Sequence, residues 1–133
     1  KFDFKTVNER LLSHYSSLGK LEEIVDIATK NQTVYENFIR TTAVELTGIN
    51  GQKDWLRAED FRLAIDPSGR KIKSTIFKLT KEDDGWLFQS GRGFGHAVGM
   101  CQCGAQAMAR QDADFKRILE YYYPSSKIIN IYN

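Results

Sequence analysis

The chemically versatile residue types are scarce in this 133-residue chain: two cysteines, two histidines, two tryptophans, two methionines and two prolines. Cys101 and Cys103 stand one residue apart, a poor geometry for pairing with each other, and two cysteines make no disulfide framework. Reduced buried thiols, metal ligands or a bond to another chain are the roles left open to them. An excess of charge of one sign is lacking as well. Nineteen basic against seventeen acidic residues leave a formal net charge of +2, and the basic ones are scattered, so the footprint of a nucleic-acid binder is missing. No apolar run approaches the roughly 20 residues that cross a bilayer, and no membrane segment is expected in this chain. No secretory leader opens it: Lys1-Phe-Asp-Phe-Lys5 runs directly into folded-looking sequence and reads as a cut. Repeats, low-complexity tracts and linkers are absent too.

What is present suffices for one hydrophobic core. Val7, Leu11, Leu12, Tyr15 and Leu18 form one stripe, which predicts a helix over 5–18 with Gly19 as its C-terminal cap. His14 lies within it as an ordinary helical histidine. Residues 21–31 and the β-branched stretch 38–47 read as strands joined by a polar turn at 31–37. Residues 53–65 read as a short helix with Leu56, Phe61 and Leu63 inward, stopped by Asp66-Pro-Ser-Gly69. Strands follow at 72–80 and 85–90 around the charged turn 81–84. A helix begins near Ala105 and ends at Asp112, which tolerates the left-handed conformation. Asp114 then caps a second helix with Phe115, Ile118, Leu119 and Tyr122 on one face. Pro124 stops that helix, and 127–132 closes the chain as a strand. The expected fold class is α+β, with antiparallel strands and short helices.

Five of the ten glycines fall within Gly91-Arg-Gly-Phe-Gly-His-Ala-Val-Gly-Met-Cys-Gln-Cys-Gly104, together with both cysteines and one histidine. Glycine belongs where backbone turns through positive φ or must come close to a ligand or another backbone. A phosphate-cradling loop fits poorly: G-x-G-x-G lacks the later glycine of the dinucleotide fingerprint, and no Gly-Lys-Ser/Thr follows. A metal site is the second reading, with His96, Cys101 and Cys103 as zinc-type ligands. On a strand, residues two apart share a face, so both thiolates could reach one ion. Against it stand the missing fourth ligand and the one-residue spacer. The third reading is a groove wall, in which glycine backbone approaches a polar substrate while Arg92, His96 and Gln102 offer hydrogen bonds. The plain alternative is a tight crossing under a helix, with the thiols as small buried hydrophobes.

The order of residues adds a resemblance. Gly91 to Ala109, followed by Ile118-Leu-Glu-Tyr-Tyr-Tyr-Pro124, resembles the C-terminal signature of the stage II sporulation protein D family, which includes the amidase-enhancer proteins of bacterial cell-wall turnover. The family pattern is G-x-G-x-GHGVGM-S-Q-Y-G-A, then a helix and a "YYP" segment. Ser74-Thr-Ile-Phe77 resembles the family's "ST-x-F" strand, so the similarity runs over about residues 40–133. Ala97 and Ser125 replace family glycines, Cys101 and Cys103 replace a common serine and tyrosine, and Tyr121 replaces a frequent histidine.

The resemblance implies that residues 1–133 are one C-terminal portion of a larger peptidoglycan-acting domain in the cell envelope. It implies glycan strands as partner, with the N-terminal half of the same protein and an amidase as further partners. Substrate contacts would fall to Arg92, Gly93, Gly95, His96, Gln102 and Tyr122. Some members look like lytic transglycosylases, whose general acid is a glutamate in the N-terminal half beside a "KAQAVAARTY"-like helix. Nothing here resembles that helix. Glu45, Glu59 and Asp60 are the carboxylates best placed to stand in, and each also reads as a solvated surface charge. No cofactor is implied, with zinc kept as the alternative. The rival to an enzyme is a non-catalytic murein-binding or amidase-activating module.

Overall fold

Asp3 starts the first helix. Its carboxylate accepts from the Thr6 N–H at 2.7 Å and from the Thr6 hydroxyl at 2.8 Å, satisfying a donor that a helix N-terminus would otherwise leave orphaned. In this computed structural model, which describes residues 1–35, 37–129 and 131, the chain is α+β and divides into two units, Lys1–Ala97 and the segment from Val98 onward.

The first unit runs β1 (Phe2–Asp3), α1 (Phe4–His14), a 3-10 helix (Ser16–Leu21), β2 (Ile24–Tyr35), β3 (Phe38–Gly48), β4 (Lys53–Arg57), α2 (Ala58–Ile65), β5 (Lys78–Glu82) and β6 (Gly85–Gln89). Its strands form two antiparallel three-stranded sheets, ordered β2-β3-β4 and β1-β6-β5. Alternation sets the faces of the first sheet. Ile27, Val44 and Leu46 are buried in the core with Val7 and Leu11 of α1 and Phe61 and Ile65 of α2. Ala28, Glu45 and Trp55 stand side by side on the opposite face, in register across three strands.

Several sequence expectations are corrected here. Helix α1 ends at His14 with Tyr15 as its C-cap, and Gly19 lies inside the 3-10 helix instead of capping it. Strand β2 continues to Tyr35, because Gln32, Thr33 and Val34 pair with Thr41, Arg40 and Ile39. The stretch 53–65 is a strand followed by a helix. Lys53, Trp55 and Arg57 point outward with period two while β4 pairs with β3, and helical geometry begins at Ala58 with Glu59 and Asp60 in its first turn, where the helix dipole favours acidic residues. Residues 72–77 form no strand beyond an isolated bridge from Ser74 to Gly95. Ile72, Ser74, Thr75 and Phe77 are buried, and the alternation begun by exposed Lys73 breaks at Thr75.

The second unit is helical: α3 (Gln102–Ala109) and α4 (Phe115–Tyr122). Asp112 ends the first helical stretch at φ 62. Asp114 caps α4 by accepting from the Arg117 N–H at 2.9 Å. Lys127, Ile128, Ile129 and Ile131 lie in no strand; Asn130 and Tyr132, the rest of the expected closing strand, lie outside the described residues.

Two polar side chains fix the turn after α2. Buried Arg62 holds Glu59 with two hydrogen bonds of 2.7 and 2.6 Å and donates to the Ile72 carbonyl at 2.9 Å. Asp66, also buried, accepts from the Ser68 hydroxyl at 2.7 Å and from the N–H groups of Lys71 and Ile72 at 2.7 and 2.9 Å. Burial is the largest single influence on the Asp66 carboxyl and pushes its pKa up. The hydrogen bonds from Ser68, Ile72 and Lys71 together outweigh burial and hold the group below its ordinary value of 3.8.

A depressed folded-state pKa contributes stability that is present above the unfolded value and lost as pH falls through the folded one. Stability is therefore expected to drop in the window below about pH 4. In Asp66→Asn the drop is shallower and the protein is less stable near pH 7, by about 2 kcal/mol. Urea unfolding between pH 2.5 and 7 measures both.

Candidate functional site

Ile72 is held at both its N–H and its carbonyl by the Asp66 and Arg62 side chains, and this fixes the chain that runs on into Ser74 and Thr75. Those two residues grip the glycine segment. The Ser74 hydroxyl donates to the Arg92 carbonyl, and the Thr75 hydroxyl donates to the His96 carbonyl at 2.9 Å. Backbone bonds run alongside: Gly95 N–H to Lys73 O at 2.8 Å, Thr75 N–H to Gly95 O at 3.2 Å and Arg92 N–H to Ile76 O at 3.3 Å. Arg40, from β3, adds its Nε to the His96 carbonyl at 3.2 Å. Thr75 in turn accepts at its own carbonyl from the Thr41 N–H at 3.0 Å, next to the point where β4 leaves β3.

The segment so held is a run of exposed backbone. Arg92, Gly93, Phe94 and His96 are exposed and Gly95 is half-buried. Positive φ recurs at every second position: 68 at Gly93, 79 at Gly95, 54 at Ala97 and 74 at Gly99. A Cβ added at Gly93 or Gly95 would meet no atom within 4 Å. The left-handed conformation, and not lack of room, is what glycine serves there. Lys73 Nζ sits 5.4 Å from the centre of the exposed Phe94 ring, within cation–π range.

The remaining predicted residues lie in the helical unit. Gln102 is exposed at the first position of α3, and Tyr122 is half-buried on α4. A Cβ on Gly104 would overlap the Tyr122 hydroxyl, so this glycine leaves room for the tyrosine. Partial burial raises the Tyr122 pKa above its ordinary value, with Cys101 and Tyr121 adding to the shift. The Tyr123 hydroxyl accepts from the Met100 N–H at 3.2 Å. Tyr121 is the most exposed of the three, at 69%, and Tyr123 is exposed as well. Sequence reasoning reaches Tyr122 as a contact and gives Ser74 and Thr75 no role of their own. It misses Arg40, for which an arginine in a β-branched strand gives no signal.

The cysteines differ from expectation. Both are exposed rather than buried. Cys101 is the N-cap of α3, its sulfur accepting from the Gly104 N–H at 3.4 Å, and Cys103 lies in the first turn. On a helix, residues two apart project to opposite sides, so the strand geometry that let both thiolates face one ion does not exist. Among the described residues no three His, Cys, Asp or Glu side chains gather as a metal site would require.

The stand-in carboxylates are all committed to cations. Glu45 takes Lys53 at 2.9 Å and Lys30 at 3.7 Å, and Lys53 first among them lowers its pKa. Glu59 is bound twice by Arg62, and Asp60 is bound twice by Arg57, at 2.6 and 3.1 Å. A general acid working near neutrality needs the opposite environment.

Comparison with known proteins follows the same lines. An uncharacterized protein of Brachyspira hyodysenteriae is 39% identical over 84 residues, covering 63% of this chain and 22% of that protein. The amidase enhancer of Bacillus subtilis is 39% identical over 61 residues, 43% of this chain and 9% of the enhancer. Stage II sporulation protein D of the same organism is 34% identical over 80 residues, 60% of this chain and 21% of that protein. These similarities support the resemblance to the stage II sporulation protein D and amidase-enhancer family. It spans about a fifth of the length of the sporulation proteins it matches and less of the enhancer. No family model and no solved structure matches it.

The departures from the stage II sporulation protein D pattern acquire a geometry. Ala97 and Ser125, both in place of family glycines, hold φ 54 and 72: the positive-φ backbone is kept although the glycine is not. Cys101 stands where serine is common, and the position is a helix N-cap, for which serine is among the best residues and a thiol is a weak acceptor.

Cys101→Ser is therefore expected to raise stability by about 0.5 kcal/mol, read as an upward shift in Tm. Thr75→Val removes the donor to His96 and is expected to cost about 1 kcal/mol. It should also speed hydrogen exchange at the Gly95 amide more than at amides of the β2–β3 ladder.

Proposed function

We propose that this chain is a glycan-binding portion of a peptidoglycan-remodelling protein of the cell envelope, and that any acid for strand cleavage comes from outside these residues. The observation that carries the reading is the exposed, positive-φ backbone of residues 91–97, gripped from behind by Ser74, Thr75 and Arg40. Two relatives whose names are stage II sporulation protein D and amidase enhancer direct it to the cell wall. A polar polymer such as a glycan is bound by many modest hydrogen bonds, and preorganised backbone supplies them without ordering flexible side chains.

Gly93 and Gly95 would offer main-chain groups to sugar hydroxyls, while the Arg92 guanidinium and His96 imidazole reach hydroxyl or acetamido oxygens. In the helical unit, Gln102 and Tyr122 are the corresponding contacts. Cleavage without water needs one carboxylic acid to protonate the glycosidic oxygen and then take a proton from the C6 hydroxyl, with burial raising its pKa. Glu45, Glu59 and Asp60 are ion-paired, which stabilises the carboxylate and opposes that task. His96 would then assist a carboxyl delivered by the rest of a larger protein. The same ion pairing favours a second reading, a murein-binding or amidase-activating module with no cleavage of its own.

Co-sedimentation with purified murein tests the binding. Arg92→Ala with His96→Ala is expected to weaken it at least five-fold with little change in Tm, since both side chains are exposed. Unchanged binding would remove the groove wall from the proposal. Incubation of murein with the chain alone should release no anhydro-muramyl products; their appearance would place an acid among these 133 residues after all.

A further inference from the structure

The two tryptophans have opposite fates. Trp86 is buried, whereas Trp55 is 66% exposed on the outward face of the edge strand β4. Nothing in the core accounts for a large ring there. Its neighbours on that face are small or charged. Glu45 is its direct cross-strand partner, with Ala28 opposite Glu45 on β2, and Lys30 pairs with Ala43. The small Ala43 side chain leaves a depression beside the indole, a cleft of about 310 Å3 lined by Lys30, Asn31, Ala43, Glu45 and Trp55. Lys53 and Lys30 both reach the Glu45 carboxylate, at 2.9 and 3.7 Å. Two ammonium groups and one carboxylate leave the rim with one net positive charge. The cleft shares no residue with the glycine segment.

A flat aromatic wall beside a rim of donors and acceptors matches a pyranose ring, whose axial C–H groups form an apolar face and whose edge carries hydroxyls. We propose that this cleft binds an N-acetylhexosamine ring that carries a carboxylate substituent. The indole covers the ring's C–H face. Glu45 accepts from ring hydroxyls, Asn31 meets the acetamido group, and the surplus ammonium charge of Lys30 and Lys53 takes the carboxylate. The choice of sugar rests on the cell-wall glycan reading above; the cleft itself does not. Held on a sheet rather than on a loop, such a site would grip the strand at a second point and raise avidity without new chemistry.

Fluorescence isolates the site, because the exposed Trp55 is the tryptophan open to acrylamide quenching. With the whole chain, the disaccharide of N-acetylglucosamine and N-acetylmuramic acid is expected to shield Trp55 from acrylamide. Chitobiose, the neutral analogue, should bind at least three-fold more weakly, and 0.5 M NaCl should erase that difference. Trp55→Phe should retain part of the murein binding. Trp55→Ala should lose at least three-fold, with Tm unchanged because the ring is outside the core. Murein bound equally by wild type and Trp55→Ala, with no shielding by either sugar, overturns the cleft and leaves the cell-wall reading standing. Shielding by the disaccharide in a protein that fails to sediment with murein overturns the cell-wall reading and leaves the cleft. Shielding by chitobiose equal to that by the acidic sugar overturns the role of the lysines.

Discussion

The glycine segment is gripped from outside by the two hydroxyls of Ser74 and Thr75. Each reaches a backbone carbonyl of the segment, Arg92 and His96, and the backbone bonds of Lys73, Thr75 and Ile76 run between them. Such a clamp is only as firm as its base. Ile72, two residues back, is bound at its N–H by buried Asp66 and at its carbonyl by buried Arg62. A hydrogen bond from a buried ion is stronger than one between neutral groups, so the stiffest polar contacts of the unit stand directly behind its loosest-looking backbone. The line of support runs from α2 through 72–75 to 92–96, and it explains why consecutive residues Ser74 and Thr75 are both buried where an ordinary strand would expose one.

Charge placement obeys the same economy. The three carboxylates nearest to consideration as acids are each matched by a lysine or arginine, and Arg62 with Glu59 serves the turn after α2. Removing one member of such a buried pair is strongly unfavourable because the other charge is left uncompensated. Arg62 and Glu59 are therefore tied to the fold. In the readings proposed above, polar recognition in the first unit falls instead to exposed backbone at 91–97 and to the outward face of β2–β3–β4.

Much of this was legible in the sequence wherever one signal acted alone. Asp114 as a cap, Asp112 as a left-handed helix end and the β2–β3 hairpin follow from local chemistry and appear as expected. The failures have a common cause, in that tertiary partners overrode local pattern. Lys53-Asp-Trp-Leu-Arg57 is helix-compatible by propensity, yet pairing with β3 makes it a strand. Residues 72–77 are β-branched and apolar enough for a strand, yet their bonds go to the glycine segment. In the site, the glycines, His96 and Arg92 were visible as unusual composition. Arg40, 56 residues away in sequence from His96, was not. The cysteines misled because their spacing was read on strand geometry, whereas the glycine run ends by opening a helix at Gln102.

Ala97 shows what the clamp makes possible. A non-glycine residue in the left-handed region carries a cost of roughly 1 kcal/mol, and the stage II sporulation protein D pattern has glycine there. The preceding carbonyl, of His96, is held by both Thr75 and Arg40, so the peptide plane entering Ala97 is fixed by groups outside the segment. With that plane set, φ 54 at Ala97 is imposed by its surroundings and not chosen by the residue. Gly93 and Gly95 have the same sign of φ and open space where a Cβ would go. At Gly93 and Gly95 glycine is thus a matter of dihedral angle and not of space.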